Sequence, residues 1–466
     1  MEKLTSEEIA REAGGTLIRG SGKLSTTQVT FDSRNAAPGS AFFAFKGETT
    51  DGHKFLKAAY DNGARIFVVS DAEAADALPD DVDVIRTDDT LYSFQELAKW
   101  YISRFHMKKI AVTGSVGKTT TRDLIYSVLS RKFRTGTCKA NMNTETGMPL
   151  MLFDFTDDME AAVIEMGMDG PGQIRRLAEI AGPDIAVITK IGISHIERLR
   201  SRENIFKAKM EIAERLGKDS VLVINSDDDM LSTIDASKVP YRIVRAGKGE
   251  NAEYRVSEIE DLGDKGVRFN LTTKAGTMPI RLSIPGAHNA VNAALAAAAC
   301  AEAGVDPEDI PAGLASAEVT GNRLRIDTSG SVKIIDDTYN AAPESMASAI
   351  DTLMKSEGRR KVAILGPMNE LGGESADFHR EVGRYAAEAG VPLLITIGER
   401  GKLISEGAEA YCGSGTRTVH FDSKEDVYPR LRELLHDGDT VLVKASRTYE
   451  LEKLAAEIEK EFKWTR

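Results

Sequence analysis

The chain has 466 residues, 42% hydrophobic and 28% charged, with a formal net charge of −12. Such a length exceeds one ordinary core and implies about three domains of a globular protein. The acidic balance argues against a nucleic-acid partner, and the longest apolar stretch, the alanine run Ala293–Ala301, is too short to insert in a membrane.

Residues 1–106 hold short apolar runs, Ala41–Phe45 and Ile66–Ser70 among them, between turn-rich segments. They predict a small α/β domain, and the opening MEKLTSEEIAREAGG has no apolar signal core. From 107 to 312, strand-like runs at Ile110–Thr113, Ala161–Glu165, Ile185–Thr189 and Val221–Ile224 alternate with helical periodicity. That alternation predicts a parallel sheet with helices on both faces. Asp306-Pro307, Ile310-Pro311 and Gly313 predict a hinge. Residues 313–466 repeat the rhythm at Val332–Ile335, Lys361–Leu365, Leu393–Ile397 and Thr440–Val443, as in a Rossmann-like α/β domain. The cysteines, Cys138, Cys300 and Cys412, show neither CxxC nor Cys/His spacing. A disulfide framework or structural zinc is therefore not expected, and a reducing cytoplasm is.

Within the middle part, TGSVGKTTT joins an apolar strand to a run in which Leu124, Ile125, Val128 and Leu129 recur at helical spacing. Strand, glycine turn, Lys-Thr, helix is the layout of a phosphate cradle. Gly114, Ser115, Val116 and Gly117 would bring backbone N–H groups to the phosphates. Lys118 would supply a charge, Thr119 a hydroxyl for Mg²⁺, and Thr120 the next turn. The loop is a short GxxGKT variant, since Val112 stands where the common loop has its first glycine. Lys118 is expected to face solvent when no ligand is present.

Three strand ends carry residues suited to one site: the Lys118 loop, Glu165 in VIEMG, and His195 in KIGISHIE. Ligands bind beyond such ends, and a carboxylate with an imidazole suits a divalent metal. Taken singly, Glu165 also reads as an ordinary strand-end charge and His195 as a solvated loop residue. Past Ser201, an expected N-cap, the stripe Ile205, Ala208, Ile212, Ala213, Leu216 includes Lys209. An inward lysine snorkels, pairs or loses its charge. In PGAHNAVNAALAAAA, His288, Asn289 and Asn292 open a small-residue helix. Their amides suit a base edge such as adenine, while Asn289 equally suits simple capping.

Taken together, TGSVGKTTT, NMNTETGMP, VIEMG, KIGISHIE with AKMEI, and GAHNAVNA resemble, in order, the ATP-dependent Mur ligases of peptidoglycan synthesis. The resemblance covers nearly the whole chain. DSRNAAPGSAFFAFKGETTDGHKF looks like the UDP-sugar-binding domain of the later ligases of that pathway. DDTYNAAPESM, AILGPMNELGGESADFH and VLVKASR are similar to the branch that adds D-alanyl-D-alanine to UDP-N-acetylmuramoyl-tripeptide. The resemblance implies three domains: 1–106 for the UDP-muramoyl-peptide, 107–312 for ATP, and 313–466 closing over ATP and binding the dipeptide. It implies a bacterial, cytoplasmic enzyme, expected as a monomer, that phosphorylates the tripeptide carboxylate and ligates through an acyl phosphate. ATP and Mg²⁺ are the implied cofactors.

Residue by residue, it assigns Thr119, Glu165 and His195 to metal, with Lys118, Lys209 and His195 catalytic. Lys209 aligns with a lysine that carries a carbamate in related ligases. His288, Asn289 and Asn292, then Arg323 and Asp337, would meet ATP. Asn143, Thr144, Glu145 and Asn340 would face the peptide substrates, and Ser33, Arg34, Lys46, Asp51 and His53 the UDP part. Three departures stand out: Val116 where the family has asparagine, Thr144 within an Asn-Asn-Glu pattern, and Ala342 where YNANP has an amide. Rival readings are the tripeptide-forming ligase, a folylpolyglutamate-synthase-like ligase and a non-catalytic nucleotide binder. The first would show DYAHTP-like and DNPR-like segments, and the second would lack the DSR…KGE…DGH domain.

Overall fold

The computed structural model describes residues 1–47, 49–138, 142–411, 413 and 415–463. Cys412, and the Asn141 that opens NMNTETGMP, lie outside them.

Three larger sheets follow one another along the chain. The first has five strands in the order Thr16–Arg19, Asp83–Arg86, Ile66–Val69, Ala41–Phe43, Val29–Thr30, all parallel except the first pair. A two-stranded ribbon, Leu4–Thr5 with Ser25–Thr26, lies beside it. The Thr90–Ser103 helix then carries the chain onward, capped by Asp89, whose side chain accepts from Tyr92 N. Phe94 and Tyr101 on that helix pack against Phe153, and the Tyr101 hydroxyl donates to Phe155 O at 2.8 Å. The core under the first sheet thus runs without a break into the core under one face of the second. Each large apolar side chain buried there stabilises the junction by about 1.5–3 kcal/mol.

The second sheet has nine strands. Thr135–Thr137, Ala161–Glu165, Lys108–Thr113, Ile185–Ile188, Val221–Asn225, Arg242–Gly247 and Tyr254–Asp261 are successive parallel neighbours. The near-continuous apolar runs of these inner strands suit burial on both faces. Val267–Thr273 and Gly276–Leu282 extend the sheet as an antiparallel meander. The all-parallel expectation misses this edge. In Val267–Thr273 buried and open positions alternate, as in a strand with one solvated face. The Asn289–Glu302 helix, almost wholly buried, fills the opposite face; its alanines let it lie close to the sheet and to the Lys118–Leu129 helix.

The third sheet has six strands, Arg325–Asp327, Lys333–Asp336, Asp439–Lys444, Arg360–Leu365, Leu393–Ile397 and Arg417–Phe421, parallel after the first pair. It has its own cores on its two faces.

The hinge expected at Pro307–Gly313 is instead helix, Asp309–Ala315. A Cβ on Gly313 would sit 2.6 Å from Val128 Cα, so this helix is pressed onto the Lys118–Leu129 helix. Proline within the first turn of a helix is tolerated, which is why the Pro pair misleads. The stretch without helix or strand between the second and third sheets is 316–324. Among the described residues no helix is long and apolar enough to cross a membrane. Cys138 and Cys300 are buried free thiols, and burial pushes Cys138 up to about 11.

Candidate active site

The strands ending at Thr113, Glu165 and Ile188 are neighbours in the sheet, so the three expected strand-end groups open onto one cavity of about 700 Å³. The phosphate loop forms one wall. Gly114 has φ +149° and Gly117 φ +83°, and the helix begins at Lys118. Thr189 clamps the loop by donating to Val116 O at 2.6 Å, and Ser115 N donates to Lys190 O at 2.8 Å. The buried Ser115 hydroxyl has no hydrogen-bond partner among the described residues. A cradle of backbone N–H groups, an unpartnered hydroxyl and a helix N-terminus suits an anion.

A Cβ at Gly114 would fall 1.9 Å from Thr189 Oγ1. Gly114→Ala is therefore expected to destabilise the protein by roughly 1–3 kcal/mol and to abolish nucleotide-analogue binding. Denaturant unfolding with calorimetric titration checks both.

Lys118 does not face solvent as the sequence suggests. Its Nζ donates to Gly114 O at 2.8 Å, inside the cavity. Burial pushes its pKa below the ordinary value; the charge of Glu165 opposes the shift and that of Arg323 adds to it. Thr119 Oγ1 donates to Glu165 Oε2 at 2.8 Å, and Asn143 Nδ2 donates to Glu165 Oε1 at 2.8 Å. A hydroxyl and a carboxylate already converging are the hard oxygen donors that Mg²⁺ takes, so these residues fit that ion. The fully buried Arg122 also reaches Glu165 Oε2, at 3.4 Å, and holds Asp123 at 2.6 Å. Arg122 was not legible from sequence, because an arginine in a TTTRD run reads as a solvated helix face.

His195 lies in the same cavity with φ +66°. Its Nδ1 is 2.7 Å from Glu370 Oε2 and 3.7 Å from Asp169 Oδ1. The His195 contact holds the Glu370 carboxyl below the usual carboxylate range. Ser201 caps the next helix, accepting from Asn204 N at 3.3 Å. On that helix Lys209 is 1% exposed and has no hydrogen-bond or salt-bridge partner among the described residues. Burial, aided by the charge of Lys118, drives it well below the ordinary lysine value. Snorkelling is thereby excluded for Lys209.

Asn289 is not the cap of its helix; its amide donates to Pro285 O at 2.6 Å, and its Oδ1 accepts from Asn292 Nδ2 at 2.8 Å. His288, Asn289 and Asn292 line the cavity, with Asn292 against Gly117. Arg323, in the 316–324 connector, stacks 3.9 Å over the Tyr339 ring, and Asp337, just past the strand Lys333–Asp336, accepts through Oδ2 from Lys444 Nζ at 2.5 Å. Asn340 accepts through its backbone carbonyl from the same Nζ at 2.8 Å. Thr144 and Glu145 line the opposite side; Glu145 Oε2 accepts from Gln173 Nε2 at 3.0 Å. Thr120 completes the loop wall.

Three family models match this chain: the Mur ligase middle domain over residues 112–300, the Mur ligase glutamate ligase domain over 322–447, and the Mur ligase family catalytic domain over 25–101. The chain belongs to the Mur ligase family. Among relatives, the UDP-N-acetylmuramoyl-tripeptide–D-alanyl-D-alanine ligase of Bacillus subtilis is 36% identical over 98% of this Mur ligase and 99% of its own length. A MurF crystal structure from Acinetobacter baumannii superposes with a TM-score of 0.89 at 30% identity, covering 99% of both chains. MurF ligase from Thermotoga maritima, solved in complex with ADP, does so at 0.80 and 28% identity over 93% of this chain and 97% of that one.

The N-terminal candidates stand apart from the cavity of this Mur ligase; Ser33, Arg34, Lys46, Asp51 and His53 are absent from its lining. Arg34 is exposed and bound to Asp32 at 2.6 Å, and Lys46 bridges Asp51 through the backbone. His53 is tied into the fold. It is buried, with Nδ1 2.7 Å from Asp51 Oδ1, while Nε2 accepts from Ser70 N and Asp71 N. Both ring nitrogens are engaged within the fold.

Proposed function

We propose that this Mur ligase joins D-alanyl-D-alanine to UDP-N-acetylmuramoyl-tripeptide, converting ATP to ADP and phosphate and giving the pentapeptide precursor of peptidoglycan. One observation carries this reading: the phosphate loop, the Thr119–Glu165 pair, the Asn143–Glu145 wall and the Arg323, Asp337 and Lys444 groups face a single cavity. Relatives named for that reaction match over nearly the whole chain.

The chemistry follows from the weakness of a carboxylate as electrophile. A terminal carboxylate oxygen attacks the γ-phosphorus and ADP departs, leaving an acyl phosphate. The dipeptide amine then attacks the acyl carbon, gives up a proton, and expels phosphate. Both steps bring anions together. Lys118 and the N–H groups of residues 114–117 offset that repulsion at the phosphates. Thr119 and Glu165 would hold Mg²⁺ beside them, with His195 at a second ion; when bound, such ions screen the phosphate charge. Arg323 and Asp337 would meet ATP from the C-terminal domain. Asn292, held by Asn289, would meet adenine together with His288. Thr144, Glu145 and Asn340 would face the peptide substrates, and Ser33, Arg34, Lys46 and Asp51 the UDP end.

Domain roles follow the same reading. Residues 1–106 hold the UDP-muramoyl-peptide, 107–312 hold ATP, and the C-terminal domain brings the dipeptide and closes over the nucleotide. The flexible joint falls at 316–324, since the first two sheets share a core and the third does not. Free buried thiols and the ATP requirement suit the bacterial cytoplasm.

A phosphate-release assay separates ligation from simple nucleotide binding. Release is expected only with ATP, the muramoyl-tripeptide and the dipeptide together. Release indifferent to the dipeptide contradicts the reading.

A further inference from the structure

Two non-glycine residues in left-handed backbone conformations meet across the boundary between the second and third sheets. His195 has φ +66° and Glu370 φ +64°. His195 follows the strand Ile185–Ile188, and Glu370 follows the strand Arg360–Leu365. Their backbones are joined as well, with Glu197 N donating to Glu370 O at 3.3 Å. A Cβ on Gly372 would sit 3.3 Å from Glu197 Cα, so the turn Gly372–Glu374 rests against the helix Ile196–Leu199. The side-chain contact is the Nδ1–Oε2 approach of 2.7 Å.

From this juxtaposition we infer that Glu370 is a positioning residue for His195, supplied by the C-terminal domain only when that domain closes. The inference rests on the Mur ligase reading of His195 as a metal ligand. A neutral imidazole has one N–H and one lone pair. A carboxylate at Nδ1 draws the N–H to that nitrogen and leaves the Nε2 lone pair as the ligand. Nε2 has no hydrogen-bond partner among the described residues. Asp169, 3.7 Å from Nδ1, belongs to the same second-sheet part as His195, so its approach does not require the third sheet. Glu370 alone ties the orientation of the ring to closure. By reciprocity, an ion held by His195 then favours the closed form. A plain surface ion pair would do little here, because the Glu370 side chain is 51% exposed.

The test is Mn²⁺ binding followed by electron paramagnetic resonance, in full-length protein with and without a non-hydrolysable ATP analogue and muramoyl-tripeptide. The variants are Glu370→Ala, Glu370→Gln and His195→Ala, and small-angle scattering monitors closure. With both ligands present, Glu370→Ala is expected to weaken Mn²⁺ binding about tenfold and to reduce compaction. Glu370→Gln, which keeps an acceptor oxygen, should recover part of each. Without ligands, the losses in the Glu370 variants should be smaller. If His195→Ala weakens Mn²⁺ binding and Glu370→Ala does not, the inference is overturned while the metal reading of His195 stands. If His195→Ala changes nothing, that reading falls and the inference with it.

Discussion

Replacing Lys118 by alanine is expected to lower turnover by about 10²–10³-fold or more while leaving the unfolding transition where it was. Among the described residues, the hydrogen-bond acceptors of the ammonium are loop carbonyls, Gly114 O at 2.8 Å and Ser115 O at 3.5 Å. Those are weak claims on a desolvated cation, whose pKa burial already depresses. Phosphate oxygens are the better partner, and the Nζ can swing to them without disturbing the fold. Unit charges about 4 Å apart at an effective dielectric near 20 interact by roughly 4 kcal/mol. That is the scale of repulsion between γ-phosphate and carboxylate that the variant would leave unopposed. Single-turnover phosphate release alongside thermal melting reads the two quantities separately. Release within tenfold of wild type would remove Lys118 from the chemistry.

The second large effect is expected at Lys209. Its side chain is fully buried, unpartnered among the described residues, and pushed well below the ordinary lysine pKa by burial first and by the charge of Lys118 second. A pKa moved in that direction raises the share of neutral amine, and a neutral amine adds CO₂ to give a carbamate and a proton. The product is an anion where a cation would repel a metal, so we propose that Lys209 acts as its carbamate. Lys209→Ala should fall on the order of 10²-fold in turnover, with partial rescue by a small added carboxylate. The wild type should show a carbamate ¹³C signal from labelled bicarbonate. An active enzyme whose amine stays unmodified at saturating bicarbonate rules the carbamate out, and Lys209 then serves as a neutral amine.

What the sequence made legible, and what it did not, divides along physical lines. The phosphate loop and the strand ends at Glu165 and Ile188 were readable because strand, turn and helix are local, and the parallel sheet brings adjacent strand ends together. The inward Lys209 was readable from helical periodicity alone. The Tyr254–Leu282 meander was not, since strands with one solvated face look like surface loops between better-patterned elements. Pro307 and Pro311 suggested a break where a proline-tolerant first turn begins a helix. The burial of His53 was not legible, because a histidine in an Asp-Gly-His turn carries no mark of it. Its two ring nitrogens are engaged by Asp51 nearby and by Ser70 and Asp71 from a later strand end. Arg122 on Glu165 and Glu370 against His195 are contacts between segments far apart in the chain, visible only once the sheets are assembled.

The most direct test of the central claim is mass spectrometry of the product formed from ATP, D-alanyl-D-alanine and a panel of UDP-muramoyl-peptides. The expected product is a tripeptide substrate heavier by one D-alanyl-D-alanine less one water, formed with one ADP per ligation, and the panel reads which third residue is accepted. Addition of a single amino acid to a shorter muramoyl-peptide, or ADP formation with no ligated product, would contradict the account.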